Sequence, residues 1–346
     1  MHISYIMKRR LESKDITARL KEIEDYLLQQ YKESKEEKER DWKTYEQKLT
    51  YRTKEAIKNF QPLIDEAIST IEIHRGRGRK PTLTLKQKVT LLLLKDLFGK
   101  SNRNMASMLA IFSLLSEIDV SYKVIERLYS DPEVVMTIFN LHNLILKKKG
   151  VKNVNASGDG TGYSLTIGKH YASETKRRKD KAKSSDSEEK NKMGFVYSFK
   201  LLDIDTKMYI AYGTSLKSEK EAFERAMKML EKIDTKINSV RLDKYYSYPS
   251  YVDRFEGANV YIIPKKNSTL RGSWKWKETM KEFVENTIPY LNEYYRRNSS
   301  ESAFSVDKRW FGWKIQQRRW DRINTAEACT NIWHNLFNLY TLSPAQ

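Results

Sequence analysis

The chain has 346 residues, enough for one large domain with a smaller companion and a sizeable buried core. Its 64 Lys and Arg against 45 Asp and Glu leave a formal charge of +19, which favours a polyanionic partner, nucleic acid first, over a merely soluble basic protein. A single cysteine, Cys329, excludes an internal disulfide framework and multi-cysteine zinc fingers, and the apolar run Val89 to Leu94 is far too short to span a bilayer. The five histidines are scattered without metal-ligand spacing. The N-terminus lacks the apolar region of a signal peptide, so an intracellular protein is expected.

From Ile16 to about Lys58 the chain is rich in Lys, Glu and Gln and lacks Gly and Pro, which favours helix. Ile16, Leu20, Ile23, Leu27 and Tyr31 form an apolar stripe that fades afterwards, so it suits a short coiled coil or an amphipathic helix packed on the body. A short helix is predicted over Pro62 to Ile71, with Pro62 in its first turn. Arg75, Arg77 and Arg79 alternate with glycine in an arm suited to a DNA minor groove, or in a basic linker that touches nothing specific. Four short helices follow, capped at Thr84, Ser101, Ser121 and Asp131. They suit a helix-turn-helix-like DNA-binding module over residues 81–150, with the segment from Ser121 as recognition helix, or a small bundle without groove contact. Residues 1–80 are thus a charged helical region with a basic arm, and residues 151–346 are left for a further domain.

That domain opens with a glycine-rich strand, Val151 to Leu165, holding Asp159 at its centre. The charged, serine-rich stretch 173–192 is predicted to be a mobile loop. Strands follow at Gly194 to Ile204 and Lys207 to Thr214, then a helix from Glu219 to Ile233. Asn238 to Asp243 is a strand ending in a carboxylate, and Val260 to Pro264 is another. The remainder is largely helical, with helices over Pro289 to Arg309 and Thr325 to Tyr340. This β-β-β-α-β-α-β-α order resembles the ribonuclease H-like fold, an α/β class with a mixed sheet flanked by helices, here preceded by an all-helical region.

Asp159, Asp243 and Glu301 stand out by position. A lone carboxylate mid-strand is costly to bury without a partner or metal. In the resembled fold the first and fourth strands are neighbours, which brings Asp159 and Asp243 together, and the helix across them delivers Glu301. Hard oxygen ligands of this kind suit Mg2+ or Mn2+, and two such ions can serve an in-line displacement at phosphorus. Asp203, Asp205, Glu219 and Glu221 sit at a hairpin turn or a helix start, where acidic residues have ordinary structural reasons to be. Trp310, Trp313 and Trp320, interleaved with arginine and lysine, suit unpaired DNA or, for some of them, the core.

On the helix from Pro289, the spacing Tyr294-x2-Arg297-x3-Glu301-x6-Lys308 puts a tyrosine, two cations and a carboxylate on one face. It resembles the YREK signature of DDE-class insertion-sequence transposases. Asp159-Gly-Thr resembles the family's first aspartate block, Asp243-Lys-Tyr-Tyr-Ser its second with Tyr246 at the aromatic position, and Ile262-Ile-Pro-Lys265-Lys266-Asn the basic strand after it. The resemblance covers roughly Val154 to Leu342 and implies a metal-binding triad of Asp159, Asp243 and Glu301 holding two Mg2+ or Mn2+ ions. It implies DNA contacts near the scissile bond from Tyr294, Arg297 and Lys308, with Tyr246, Lys265, Lys266 and the three arm arginines as further DNA-binding residues. The partner implied is double-stranded DNA, at element ends and target, bound by a homodimer in a synaptic complex within a prokaryotic nucleoid and cytoplasm. Another ribonuclease H-like nuclease, or a domesticated inactive DNA-binding protein, would share most of these features. The interval from Asp243 to Glu301 is too short for the large β insertion that some relatives carry.

Overall fold

The structure, a computed structural model of the chain, describes residues 11–23, 41–72, 81–116, 120–165, 195–317 and 319–341. The arm with Arg75, Arg77 and Arg79 and the 173–192 loop lie outside the described residues.

Helix α1 (Ser13–Glu22) buries Ile16 and Leu20 and packs against α9 (Trp274–Glu285), so the described part of the first apolar stripe serves a packed amphipathic helix. Helix α2 (Trp42–Ser69) departs from expectation, because no new helix starts at Pro62; the helix runs through it. Proline there withdraws the amide that would meet the Lys58 carbonyl, a loss worth roughly 3 kcal/mol in a helix interior. The stripe Ala56, Phe60, Leu63, Ile64 and Ala67 continues buried on both sides of Pro62, and that burial outweighs the break.

Helix α3 (Leu85–Leu97) begins on the Thr84–Gln87 capping box, each side chain bonding the other's backbone amide. Then come α4 (Asn102–Ser116), α5 (Tyr122–Leu128) and α6 (Pro132–Lys149). Asp131 caps α6, and Gly150 ends it at φ +76°, a left-handed conformation that favours glycine. Helices α2, α3 and α6 pack on one another and on the C-terminal helix α12 (Trp320–Leu339). Trp333 of α12 packs against Phe60 with the rings tilted and donates its indole N–H to the Leu93 carbonyl at 2.8 Å. One apolar core runs from these helices into the sheet, so residues 81–150 share their interior with the strands. Among the described residues no helix is long and apolar enough to cross a membrane.

The sheet is mixed and six-stranded: β1 (Asn153–Leu165), β2 (Phe195–Asp203), β3 (Tyr209–Ser215), β4 (Lys236–Leu242), β5 (Asn259–Tyr261) and the short β6 (Lys314–Ile315). Its order is β3-β2-β1-β4-β5, antiparallel on the β3 side and parallel on the β5 side, with β6 pairing the far end of β1. Alternation along β2 sends Phe199 to one face, against Phe223 of α7 (Glu219–Leu230). Ser198 and Lys200 go to the other face, against α12. Helices therefore cover both faces, as the sequence predicts. Lys200 is wholly buried, its Nζ 2.7 Å from Asn331 Oδ1, 3.1 Å from the Tyr163 hydroxyl and 3.5 Å from Asp307 Oδ2.

Between β4 and β5 lies the one-turn helix α8 (Pro249–Val252), and between β5 and β6 lie α9, α10 (Thr287–Tyr295) and α11 (Asn298–Phe311). Here the expected single helix from Pro289 to Arg309 is two. Arg296, Arg297, Ser299 and Ser300 each bond the carbonyl three residues back, tightening the chain out of α-helical register at the junction. The Arg297 carbonyl is also drawn to β1, accepting from Ser157 Oγ at 3.1 Å.

Candidate active site

Strands β1 and β4 run parallel, and their register pairs Gly158 with Leu242. Asp159 and Asp243 are the next residues along, so two neighbouring strands present carboxylates side by side. Beyond Leu242 the chain leaves the sheet, with Asp243 capping a 3-10 turn by accepting from the Tyr245 amide at 3.0 Å. The same edge of β1 regains a strand partner at Ser164, where β6 joins it. Asp159 opens the interval between.

Helix α11 crosses this interval. Ser300, Ala303, Phe304 and Asp307 form its buried stripe, and the Ser300 hydroxyl lies 2.7 Å from Ser157 Oγ, small groups that let helix and strand approach closely. Glu301 is left on the open side, its side chain 55% exposed.

Arg297 stands among all three carboxylates. Its Nη1 is 3.5 Å from Asp159 Oδ2, and its Nη2 is 3.2 Å from Asp243 Oδ1 and 3.0 Å from Glu301 Oε1. Burial opposes the guanidinium charge, but Tyr294 and the three carboxylates outweigh it and hold its pKa above the ordinary value. Asp159 is pushed up to about 6, chiefly by burial and further by Asp243 and Glu301, against the pull of Arg297 and the Gly160 amide. One guanidinium thus leaves a partly buried site short of positive charge.

Among the described residues no three His, Cys, Asp or Glu side chains are arranged to hold a metal ion as they stand. The donor set nevertheless has the right chemistry for a hard divalent cation: carboxylate oxygens from three separate elements, already gathered around a positive charge. Arg297 is the positive charge around which those oxygens are gathered.

The other predicted site residues divide. Lys308 lies about two turns beyond Glu301 on α11, half-buried, its Nζ 4.8 Å from the Trp313 ring and 5.5 Å from that of Tyr163. Lys265 sits over the exposed ring of Tyr248 at 3.8 Å and donates to the Tyr245 carbonyl, next to the Asp243 turn, and Lys266 is exposed in the same loop. Two tyrosines correct the sequence-based expectation of DNA-facing rings. Tyr294 is 4% exposed, on α10 rather than on the helix of Glu301, because the junction turns it inward; burial pushes its phenol up to about 12. Tyr246 is wholly buried among Phe199, Phe223 and Tyr251, and its hydroxyl donates to Glu219. The tryptophans also sort themselves: Trp310, Trp313 and Trp320 keep exposed surface, whereas Trp276 and Trp333 fill the core. Exposed Tyr245 and Tyr248 flank the site without having been singled out by the sequence. Their only signal was adjacency to Asp243.

A mixed sheet with helices on both faces, bearing three carboxylates and an arginine where the pairing of two parallel strands ends, defines an acidic-site α/β protein. The chain is 44% identical over 286 residues, covering 82% of its own length and 84% of the relative's, to a protein of Archaeoglobus fulgidus named "probable transposase for insertion sequence element ISA1214". No protein-family model matches the chain, and no solved structure matches it. The chain belongs to the insertion-sequence transposases.

Proposed function

We propose that the chain is a DDE-type DNA transposase with a ribonuclease H-like catalytic domain, which cuts the ends of its element and joins them to target DNA. The observation that carries this is the convergence of Asp159, Asp243 and Glu301 on one guanidinium. The sheet order supports it too, since three antiparallel strands lead into a parallel pair with β1 and β4 adjacent. Asp159, Asp243 and Glu301 are the residues that would hold two divalent ions, Mg2+ or Mn2+. Such ions, when bound, activate the attacking oxygen and stabilise the leaving oxygen of an in-line phosphoryl transfer.

The chain's own groups do the rest. Arg297 neutralises the carboxylates in the free protein and, released from them, turns its guanidinium to a phosphate oxygen of the strand being cut. Tyr294, buried beneath it with its ring 5.7 Å away, limits how far that side chain travels. Lys308 on one side and Lys265 and Lys266 on the other supply positive charge to the flanking backbone. Two copies, each holding one element end, form the synaptic complex.

Purified protein given Mg2+ and a duplex ending in the element's terminal repeat should nick the end and join it to a second DNA. Nicking without joining identifies a resolvase-like nuclease, and binding without either identifies an inactive DNA-binding protein. Arg297→Gln should bind Mn2+ more tightly than wild type in the absence of DNA, read by the electron paramagnetic resonance of free Mn2+. It should also lose at least roughly tenfold in end cleavage, with non-specific DNA binding little changed. Unaltered Mn2+ affinity would remove Arg297 from the ion's place.

A further inference from the structure

We infer that Glu219 is a positioning residue whose carboxylate ties the turn after Asp243 to the strand that carries Asp159. Glu219 is the first residue of α7, after its cap Ser218, where the positive end of a helix suffices to explain an acidic side chain. The geometry asks more of it. Its carboxylate lies over Gly160, in the space a side chain at that position would fill. Gly160 is the neighbour of Asp159, and its amide donates to Asp159 Oδ1 at 2.8 Å.

By strand alternation Asp159 points to the α11 face, and the missing side chain of Gly160 points to the α7 face. Glu219 therefore supports β1 from behind the site. Its second contact is the Tyr246 hydroxyl, which donates to Oε1. Burial and the nearby Glu219 charge hold that phenol far above its ordinary pKa, so it stays a donor at every working pH. Tyr246 lies three residues beyond Asp243, at the end of the turn that Asp243 caps, and is clamped between Phe199 and Phe223.

One carboxylate thus touches the backbone beside Asp159 and the side chain that anchors the turn of Asp243. The separation of the two aspartates decides whether both reach the same ions, and ligand sets tolerate about half an ångström of misplacement. Gly160 is a glycine for the same reason: any side chain there would expel Glu219.

This inference rests on the proposed metal triad, and the test keeps the two apart. Mn2+ binding is measured without DNA by the electron paramagnetic resonance of the free ion, together with the Mn2+ dependence of end cleavage and the thermal midpoint. Tyr246→Phe, which keeps the packed ring, should weaken Mn2+ binding roughly tenfold, as loss of a residue supporting metal ligands typically does. Glu219→Ala should do the same, and the double variant should be no worse than either single one. Glu219→Gln, which still accepts the hydroxyl, should stay within about twofold of wild type. Wild-type Mn2+ affinity in both Tyr246→Phe and Glu219→Ala overturns the tie, as do losses that multiply in the double variant. Mn2+ binding that survives Asp159→Asn and Asp243→Asn in the otherwise unchanged chain overturns the triad instead.

Discussion

Asp243→Ala should abolish Mg2+-dependent end cleavage while leaving DNA binding and folding in place. Asp243 lies just outside the sheet, about a third exposed; among the described residues its carboxylate accepts from the Tyr245 amide and pairs with Arg297. Removing it costs the fold one turn cap, worth about 1 kcal/mol. On the proposed triad, removing it would take away one of the oxygen donors for ions that, when bound, stabilise phosphoryl transfer by several kcal/mol, hence on the order of a thousandfold or more in rate. Glu301→Gln should match it, because an amide keeps the shape of the carboxylate and loses the charge. The Arg297 contacts make the expected pattern more specific. With either carboxylate gone the guanidinium retains two anionic neighbours, so the thermal midpoint should hardly move. Cleavage within tenfold of wild type in either variant would sink the triad. A large fall in thermal midpoint alongside the loss of cleavage would make these carboxylates structural instead.

Much of this site is legible in the amino-acid sequence itself. Asp159 and Asp243 become neighbours once the strand order is known, and the strands announce themselves by apolar alternation and by the turns between them. The caps at Thr84 and Asp131 and the glycine stop at Gly150 are local, and local chemistry is legible. What cannot be read is decided by contacts distant in sequence. The bend at Arg296 and Arg297 depends on Ser157, more than a hundred residues earlier, and it turns Tyr294 inward although the helical spacing alone puts it beside Glu301. Tyr246 keeps its place in the motif and loses the role expected of it, because the turn after Asp243 folds its ring under the sheet edge. Glu219 has a sufficient local explanation at a helix start, which conceals a contact joining β1, α7 and the turn after β4. Pro62 misleads in the opposite sense: a strong local breaker yields to a long buried stripe.

Lys200→Met should destabilise the fold by about 3–5 kcal/mol at neutral pH, the usual result of removing one partner from a buried ion pair. Lys200 lies opposite Asp159 in the β1–β2 register, beneath the site, and methionine keeps most of its volume. Burial works against its charge, yet Tyr163, Asp307 and Glu327 together raise its pKa, so the ammonium is the charged form at any ordinary pH. Asp307 and Glu327 are the partners left stranded, both buried; of the two it is Asp307 whose carboxyl is held low. Burial pushes its carboxyl up, but His334, Lys200 and the Tyr209 hydroxyl more than offset this and hold it below the usual range. A lowered carboxylate contributes stability that is present above its unfolded pKa of about 3.9 and is lost as pH falls through the folded value. Without Lys200 that contribution shrinks or reverses. The deficit of the variant should therefore be largest at neutral pH and narrow below about pH 4, as Asp307 takes up a proton in both proteins. Denaturant unfolding at the two pH values measures this directly, and an equal deficit at both would assign the loss to packing rather than charge. Function should follow stability here. Asp307 is on α11, two turns beyond Glu301, and its bonds to Tyr209 at 2.6 Å and His334 at 2.7 Å share with Lys200 the task of holding that helix to the sheet. A variant that still folds should hold Glu301 less firmly and bind Mn2+ more weakly, while Asp159 and Asp243, fixed by β1 and β4, keep their places.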